Sequence, residues 1–197
     1  SAMCNLYRMS KNVDEVARWF SASNTATGAN LGAEVDPGYP GTVIARGEVR
    51  FMIWGVPLVL KSKKAGKNLK PKPVNNAHTD RLDSDMWLVS FEKRRCQLPL
   101  SAWAEAEGAK GGTTLTWLTV PDVDLFAIAA IWRDSDEWGP AYSMVMTDAV
   151  GDAAQVHTLM PVILKPADYD TLQNGGSDTA KALCTAWAGD LAIDRID

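Results

Sequence analysis

The chain has 197 residues, a hydrophobic content of 46% and a formal net charge of -4 at pH 7. This length predicts a single domain with an ordinary globular core, and the acidic charge argues against a protein that coats nucleic acid non-specifically. No apolar run reaches the roughly 18 residues of a membrane-spanning helix, and no segment has the pattern of a secretory signal.

The amino-terminal part of the chain is predicted to hold one helix and then a loop. Apolar residues within 12–20 share one helical face, and either Ser10 or Asn12 is suited to cap that helix. Residues 21–41 are rich in Ser, Thr, Asn, Gly and Pro, which is typical of a loop.

Strands dominate the predicted middle of the chain. Short apolar-rich runs bounded by turn residues predict strands over 42–45, 49–54, 95–98, 103–105, 113–120, 125–132 and 142–147. The first two turn at Arg46-Gly47, Pro99 breaks the next pair, and 113–120 forms a hairpin with 125–132 through Pro121-Asp122. Helices are expected over 166–172 and 179–187. Strands in the middle and helices at the ends favour an α+β class over a repeated β-α-β fold.

Cys4 directly follows Met3, so removal of the preceding residues would place a cysteine at the amino terminus. Such a residue reacts with an aldehyde, because its amine forms an imine and its thiol then closes a five-membered thiazolidine ring. An α-amine titrates near ~7.7–8.0 and a thiol near ~8.5, so both nucleophiles are usable at neutral pH. Ser1 and Ala2 are interpreted as an expression remnant, and the domain is expected to span 3–197.

The other two cysteines, Cys96 and Cys184, are far from Cys4 in sequence, and no pair has the Cys-x-x-Cys spacing of a metal site. We therefore expect no metal ion, no cofactor and a reducing, cytoplasmic environment.

A run of lysines without an acidic neighbour occupies the predicted surface excursion over 61–76. Its members are Lys61, Lys63, Lys64, Lys67, Lys70 and Lys72. The run is either a solvated loop or an arm that contacts phosphates beside a site. Most of the eight tryptophans are expected to pack in the core, but Trp54 lies just before the lysines and is the candidate for stacking on bases.

Three further residues have chemical potential but are individually ambiguous. His157 borders an apolar run and is either a structural residue or a proton carrier, Glu105 alone would be a surface charge, and Asn76 alone would be a turn residue. Spacing does not show that they converge in space.

Taken in order, these residues resemble a known family. The features are the Met3-Cys4 start, Trp54-Gly55, Asn76-Ala77, the block Arg94-Arg95-Cys96-x-x-Pro99 with Glu105 after it, and His157-x-x-Met160-Pro161-Val162-Ile163-Leu164. This pattern is similar to that of the SOS response-associated peptidase (SRAP) family and extends from Met3 to about Leu164.

The resemblance implies a compact α+β domain with a largely antiparallel, barrel-like β-sheet, peripheral helices and a groove near the amino terminus. It also implies an abasic-site sensor. After autoproteolytic removal of the preceding residues, Cys4 traps the ring-opened aldehyde of an abasic site in single-stranded DNA as a thiazolidine crosslink. The expected partner is single-stranded DNA that contains abasic sites. The protein is expected to be a monomer in the cytoplasm, located on the bacterial nucleoid when bound to DNA.

The catalytic residues that the resemblance implies are Cys4, Asn76, Glu105 and His157. His157 can move the proton that opens the sugar ring, and Glu105 can exchange protons with the α-amine if partial burial tunes its pKa. Asn76 can hold the adduct, because an amide both donates and accepts without adding charge.

Four arginines of the family pattern are replaced, here by Leu6, Ile53, His78 and Leu159. Arginine holds phosphates in a fork geometry, so grip on DNA is expected to depend on other groups. The predicted DNA-binding residues are Trp54, Lys61, Lys63, Lys64, His78 and Arg81.

Two other functions fit the same residues. One is a cysteine hydrolase in which Cys4 attacks an acyl group, His157 is the base and Glu105 orients it. The other is a nucleic-acid-binding module without catalysis. Hydrolytic turnover with an acylated Cys4 amine would favour the first, and binding that survives Cys4→Ala without a covalent product would favour the second.

Overall fold

The computed structural model describes residues 4–26, 31–109 and 114–196. The interpreted remnant, Met3, the first residue of the predicted 113–120 strand and Asp197 lie outside the described residues. The strands are β1 (Leu6–Arg8), β2 (Ser23–Asn24), β3 (Glu34–Val35), β4 (Pro40–Ala45), β5 (Glu48–Trp54), β6 (Val56–Leu58), β7 (Lys72–Val74), β8 (Asn76–His78), β9 (Arg95–Leu100), β10 (Ala102–Glu107), β11 (Thr114–Thr119), β12 (Phe126–Ser135), β13 (Gly139–Asp148), β14 (Leu159–Pro161), β15 (Ile163–Leu164) and β16 (Ala192–Ile196).

The helices are short and lie mostly outside the central strands. They are α1 (Val13–Trp19), α2 (Leu88–Lys93), α3 (Gly151–Ala154), α4 (Tyr169–Asn174) and α5 (Ser177–Leu183), with 3₁₀ turns at Thr79–Arg81 and Pro166–Asp168. Within the three described ranges, no helix combines the length and the apolar character needed to cross a membrane.

A five-stranded barrel forms the centre of the molecule. Its strands follow the order β13, β12, β9, β4 and β5, and β5 pairs back to β13 through Ile53 with Ala141 and Trp54 with Tyr142. The closing pair is parallel, whereas the other four pairs are antiparallel. A second, antiparallel sheet has the order β16, β11, β10, β1 and β3. The predicted α+β domain with a largely antiparallel, barrel-like sheet is confirmed.

The main hydrophobic core lies where the two sheets face each other. Tyr7 and Trp103 enter it from the second sheet, while Trp54, Leu98 and Met144 enter it from the barrel. Cys4 belongs to the same core and directly precedes β1. The fold therefore holds the start of the chain between two sheets.

Two local predictions are confirmed by their turn and cap chemistry. The Asn12 side chain accepts a hydrogen bond from the backbone N–H of Glu15 at 2.9 Å, so Asn12 rather than Ser10 caps α1. β4 and β5 form the expected hairpin, in which Arg46 and Gly47 have φ angles of 54° and 75°. Positive φ at both central residues matches the twist of a two-residue hairpin.

The predicted hairpin between 113–120 and 125–132 is wrong, although both segments contain strands. β11 pairs with β10 and β16 in the second sheet, whereas β12 pairs with β9, β13 and β15 in the barrel. Pro121-Asp122 therefore joins two sheets. A short apolar-rich run predicts a strand, but it carries no information on the strand's partner.

The predicted break at Pro99 is also wrong, because β9 continues through Pro99 to Leu100. β12 pairs along the whole of β9, but β4 pairs with it at Gln97, two residues before Pro99. A proline is tolerated where only one side of a strand has a partner. Smaller differences are the short strands β2 and β3 within the predicted loop 21–41, and the end of α5 at Leu183.

The two adjacent arginines of the family-like block hold backbone carbonyls. Arg94 donates to the carbonyl oxygen of Trp132 and to the hydroxyl of Ser90. Arg95 is buried and donates to the carbonyl oxygens of Phe91, Leu172 and Gly175. Arg95 therefore ties α2 and α4 to the outside of the barrel.

We expect Arg95→Met to lower the free energy of unfolding by about 3 kcal/mol or more, because it leaves buried carbonyls without a donor. Urea denaturation of both proteins measures the difference. The exposed Arg81 offers a control, since Arg81→Met should change the stability by less than about 0.5 kcal/mol. Equal stability of the two variants would contradict the role assigned to Arg95.

Candidate active site

Cys4 is fully buried, and two neighbouring asparagines bind its backbone carbonyl. The Nδ2 atoms of Asn75 and Asn76 donate to the carbonyl oxygen of Cys4 at 2.7 and 3.0 Å. Asn75 Nδ2 also lies 3.0 Å from Oδ1 of Asn5. Asn76 begins β8, whose pairing with β13 fixes its position. Asn76 therefore contacts Cys4, and its predicted role of holding an adduct stays a prediction. Sequence reasoning missed Asn75, for which adjacency to Asn76 was the available signal.

Trp54 supports Asn75, one of the two asparagines that bind the Cys4 carbonyl. This corrects the prediction that Trp54 stacks on bases. The ring is 0% exposed, so it has no open face for a base. Its Nε1 donates to the carbonyl oxygen of Asn75 at 3.0 Å, and its edge packs on Tyr7 with ring centroids 4.9 Å apart. Trp54 therefore positions the residue that holds Cys4.

Glu105 reaches the Cys4 site from β10. Because Leu6 pairs with Ala104, the start of β1 lies beside Glu105 on the neighbouring strand. The Glu105 side chain is almost fully buried, and neither carboxyl oxygen has a hydrogen-bond partner among the described residues. Burial raises the pKa of Glu105 to about 8, so the carboxyl is mostly protonated at neutral pH.

Glu107, on the same strand as Glu105, has two hydrogen-bond donors from neighbouring strands. Thr116 lies directly opposite Glu105 in the sheet, but its hydroxyl donates to Oε1 of Glu107. Arg195 Nε donates to the same oxygen at 2.9 Å. The hydrogen bond from Thr116 and the charge and hydrogen bond of Arg195 lower the pKa of Glu107. Two carboxyls on one strand thus have opposite pKa shifts, because burial raises the pKa of Glu105 while hydrogen bonds lower that of Glu107.

The Cys4 thiol stays protonated in this environment. Burial raises its pKa well above the usual value, and the negative charge of ionised Glu105 raises it further. Its Sγ donates to the carbonyl oxygen of Leu6 at 3.7 Å. A cysteine hydrolase needs the opposite, a thiol whose pKa is lowered by a base. The raised pKa of Cys4 therefore disfavours the cysteine hydrolase. The effect of the Glu105 charge on this pKa places the carboxyl near the thiol.

A buried pair of phenols lies under the site and was missed in the sequence. The hydroxyls of Tyr7 and Tyr142 are hydrogen-bonded to each other. Burial raises the pKa of both phenols, and the charge of a Cys4 thiolate would raise that of Tyr7 further. Gly41 in β4 faces this pair, and a Cβ atom at Gly41 would collide with both hydroxyls.

We expect Gly41→Ala to lower the free energy of unfolding by roughly 2–3 kcal/mol, because both rings would have to move in a packed core. Thermal or urea unfolding measures the loss. Gly32→Ala is the matched control, since an added Cβ there would meet only the carbonyl oxygen of Glu34 at an ordinary 3.7 Å. A Gly41→Ala protein as stable as Gly32→Ala would contradict the packing described here.

His157 is held by its own contacts at the end of α3. Its Nδ1 accepts a hydrogen bond from the backbone N–H of Leu159 at 3.0 Å, which leaves the ring hydrogen on Nε2. Among the hydrogen bonds and ion pairs of the described residues, none joins His157 to Cys4, Asn76 or Glu105. The structure thus joins Asn76 to Cys4 by a hydrogen bond and places Glu105 near its thiol, whereas His157 has no such contact with them among the described residues.

The predicted DNA-binding side chains lie in different surroundings. Lys61, Lys63 and Lys64 are exposed on a projecting segment that folds back on itself, where Leu69 N–H donates to the carbonyl oxygen of Leu60 at 2.7 Å. Arg81 is exposed in the 3₁₀ turn after β8. The contacts of these lysines and of Arg81 with DNA therefore remain a prediction.

His78 is held by acidic neighbours. Its Nε2 lies 3.2 Å from Oδ1 of Asp148, and its Nδ1 accepts from the backbone N–H of Asp80 at 3.1 Å. The carboxylates of Asp80 and Asp148 lie 3.4 and 3.2 Å from the ring nitrogens, and they compete with a phosphate for the ring. His78 therefore fits a phosphate contact less well than the lysines do.

Of four cavities among the described residues, two lie near the amino terminus, lined by Met9 and Asn12 in one and by Arg8 and Ser10 in the other. Cys4, Asn76, Glu105 and His157 are absent from the linings of all four. Cys4 is instead enclosed, consistent with its complete burial. Within the described part of the chain, no group of three or more His, Cys, Asp or Glu residues has metal-binding geometry.

Comparison with known proteins places this geometry in context. The family model described as SOS response associated peptidase (SRAP) matches residues 3–196. A search of curated proteins found no significant match.

Several solved structures share the fold. A protein from Bacteroides thetaiotaomicron has a TM-score of 0.80 and 17% identity, covering 98% of this chain and 92% of the other. A protein from Bordetella bronchiseptica has a TM-score of 0.80 and 22% identity, covering 98% and 100%. A phage-related protein from Bordetella bronchiseptica has a TM-score of 0.72 and 17% identity, covering 98% and 94%. At these identities the likeness establishes the fold, whereas the family model spans nearly the whole sequence, and the chain therefore belongs to the SOS response-associated peptidase family.

Proposed function

We propose that this protein traps abasic sites in single-stranded DNA by forming a thiazolidine between the open-chain sugar aldehyde and an amino-terminal Cys4. The observation that carries the proposal is the carboxyl of Glu105, which is buried beside the thiol with both oxygens unpartnered among the described residues. Oδ1 of Asn76 is likewise buried without a partner there. Buried polar atoms without partners call for an explanation, and a bound reactant supplies one.

The chemistry begins when the residues before Cys4 are released and its α-amine becomes free. The neutral amine attacks the aldehyde carbon, a C–N bond forms, and the carbonyl oxygen takes a proton from Glu105. The amine nitrogen then returns a proton to the Glu105 carboxylate. A group with a pKa near 8 exchanges protons efficiently in both directions near neutral pH.

The Glu105 carboxyl also transfers the protons in dehydration and ring closure. Glu105 donates a proton to the departing hydroxyl, so that water leaves and an iminium forms. The Cys4 thiol then gives its proton to the Glu105 carboxylate while sulfur bonds to the former aldehyde carbon, and the C=N electron pair returns to nitrogen. One water is lost overall, and Glu105 ends in its acid form.

The remaining residues fit supporting roles. The two asparagine amides hold the Cys4 carbonyl, so the amine and thiol remain close to Glu105 throughout. His157 offers its Nε2–H to the sugar ring oxygen, which assists ring opening. The exposed lysines of the projecting segment supply charge to the DNA backbone.

The test uses two forms of the protein, one beginning at Cys4 and one retaining residues 1–3. Each is incubated with a single-stranded oligonucleotide that contains one abasic site, and products are separated on a denaturing gel and weighed by intact mass spectrometry. We expect the first form to give an adduct equal to protein plus DNA minus one water. The second form should give it only after release of residues 1–3. Absence of adduct from the Cys4 form would overturn the proposal.

A further inference from the structure

A second candidate site lies on the outer wall of the barrel. Gln97 is on the opposite face of β9 from Cys96 and Leu98, which share the inner core with Cys4. Outside Gln97 is a cavity of about 280 Å³ between the end of α1, the β4–β5 turn and α4. The mechanism proposed for Cys4 uses none of these residues.

Gln97 is an unexplained polar group at this cavity. Its side chain is only 2% exposed, and its Nε2 has no hydrogen-bond partner among the described residues. A buried donor without a partner costs about 1–3 kcal/mol, so an apolar residue would be the simpler choice for a packing role. An amide also carries a donor and an acceptor side by side, and its terminal torsion is soft enough to turn either toward a ligand.

Of the nine described residues that line the cavity, two are aromatic and one is charged. Phe20 and Tyr169 stack with ring centroids 5.1 Å apart and an interplanar angle of 29°. Burial raises the pKa of Tyr169 to about 12, so this phenol is neutral. Among the described residues of the lining, Asp170 is the one charged side chain, and its Oδ1 accepts from Asn174 at the rim. The absence of a cation from this lining excludes a phosphate or another anion as the favoured ligand.

The cavity is held in shape by Arg95. This residue precedes Gln97 on the same face of β9, and it binds the carbonyl oxygens of Leu172 and Gly175 around the end of α4. α4 supplies Tyr169, Asp170 and Gln173 to the lining. The wall that faces Gln97 is therefore fixed to the strand that carries it, as in a preformed ligand pocket.

We propose that this cavity binds a free nucleobase, with Gln97 pairing to its amide-type edge. The small volume suits a single ring system, the aromatic wall suits a planar one, and the lack of cationic groups selects a base without its phosphate. Because Nε2 has almost no accessible surface, the Gln97 amide must turn about its soft terminal torsion to donate to the base. The site is independent of the Cys4 chemistry.

Titration of the isotope-labelled protein with uracil, cytosine and adenine, followed by ¹H–¹⁵N NMR, tests the proposal. We expect at least one base to give saturable shifts of the Gln97 side-chain amide and of α4 backbone amides, with a Kd of about 1 mM. Gln97→Leu should weaken this binding at least tenfold while remaining folded, since leucine has a similar size and removes the unpartnered donor. Gln155→Leu, at an exposed position, is the matched control and should bind as the parent does.

Two further ligands sharpen the result. For whichever base binds, a form methylated at the nitrogens of its pairing edge should bind at least tenfold more weakly. Inorganic phosphate should leave the Gln97 signals unmoved. No shift with any base up to 20-fold above ~1 mM, equal affinity in Gln97→Leu, or a phosphate response in place of a base response would overturn the proposal. Crosslinking by Cys4 should proceed normally in Gln97→Leu, so failure here leaves the proposed function untouched.

Discussion

A protein that begins at residue 4 should lose its stable DNA adduct completely when Cys4 is replaced by alanine. The variant keeps a free α-amine, so it still forms an imine with the abasic aldehyde, but it has no thiol to close the ring. An imine hydrolyses on a denaturing gel, whereas a thiazolidine persists. The expected result is therefore no adduct after simple denaturation, and an adduct after treatment with borohydride, which reduces the C=N bond.

The control for this experiment is Cys184→Ala, which removes another buried cysteine that belongs to a different hydrophobic cluster from Cys4. It should form the stable adduct in wild-type amount. A borohydride-independent adduct in Cys4→Ala would show that another nucleophile does the work. Loss of even the reducible adduct in Cys4→Ala would instead place the amine of residue 4 outside the reaction.

Replacing Glu105 by glutamine should slow adduct formation by about 10²–10⁴-fold, the range over which a positioned acid or base contributes. Glutamine matches the size of glutamate but cannot transfer protons between the amine, the leaving water and the thiol. The rate is measured with excess protein over a labelled abasic oligonucleotide. In the wild type the rate should fall as pH rises through about 8, when Glu105 loses its proton, and this limb should vanish in Glu105→Gln.

Glu105→Gln, which slows the reaction, should raise the free energy of unfolding relative to the wild type at high pH. The pKa of Glu105 is raised on folding, so its stabilising contribution is complete below an unfolded value near ~4.5 and is lost as pH rises through about 8. A rise of the pKa from 4.5 to about 8 amounts to roughly 5 kcal/mol. Relative to the wild type, Glu105→Gln should therefore gain stability between about pH 4.5 and 8 in urea denaturation.

Glu92→Gln on the exposed face of α2 is the control for both measurements. It should change neither the crosslinking rate nor the pH dependence of unfolding. If Glu105→Gln reacts at the wild-type rate, Glu105 is not the proton carrier. If its stability follows the same pH dependence as the wild type, the carboxyl is not buried in the way described.

Local chemistry made part of the fold predictable from sequence. Asn12 caps its helix through a contact three residues away, and the Arg46-Gly47 turn sets its own hairpin. The strand over 114–119 was equally visible, but its partners β10 and β16 depend on how two sheets divide the chain. Pro99 was misjudged for the same reason, since its tolerance depends on whether a second strand lies beside it.

The site residues divide in the same way, into those that the sequence indicates and those whose placement depends on the rest of the fold. Motif order pointed to Cys4, Asn76, Glu105 and His157, of which Asn76 and Glu105 lie beside Cys4. It did not reveal that Trp54 would face inward to hold Asn75, because the burial of an aromatic ring is decided by the rest of the core. The raised pKa of Glu105 was also beyond a sequence argument, since it rests on burial, which depends on how the rest of the core packs.

The grip of Asn75 and Asn76 on the Cys4 carbonyl has a mechanical consequence. Both amides hold main chain, so their hold does not depend on what happens to the sulfur or the nitrogen of that residue. If an enzyme moving along the DNA pulled on a strand joined to Cys4, the force would pass through β8 and β13 to the closed barrel and not to a flexible terminus. The protein would then resist extraction from the strand as one rigid obstacle.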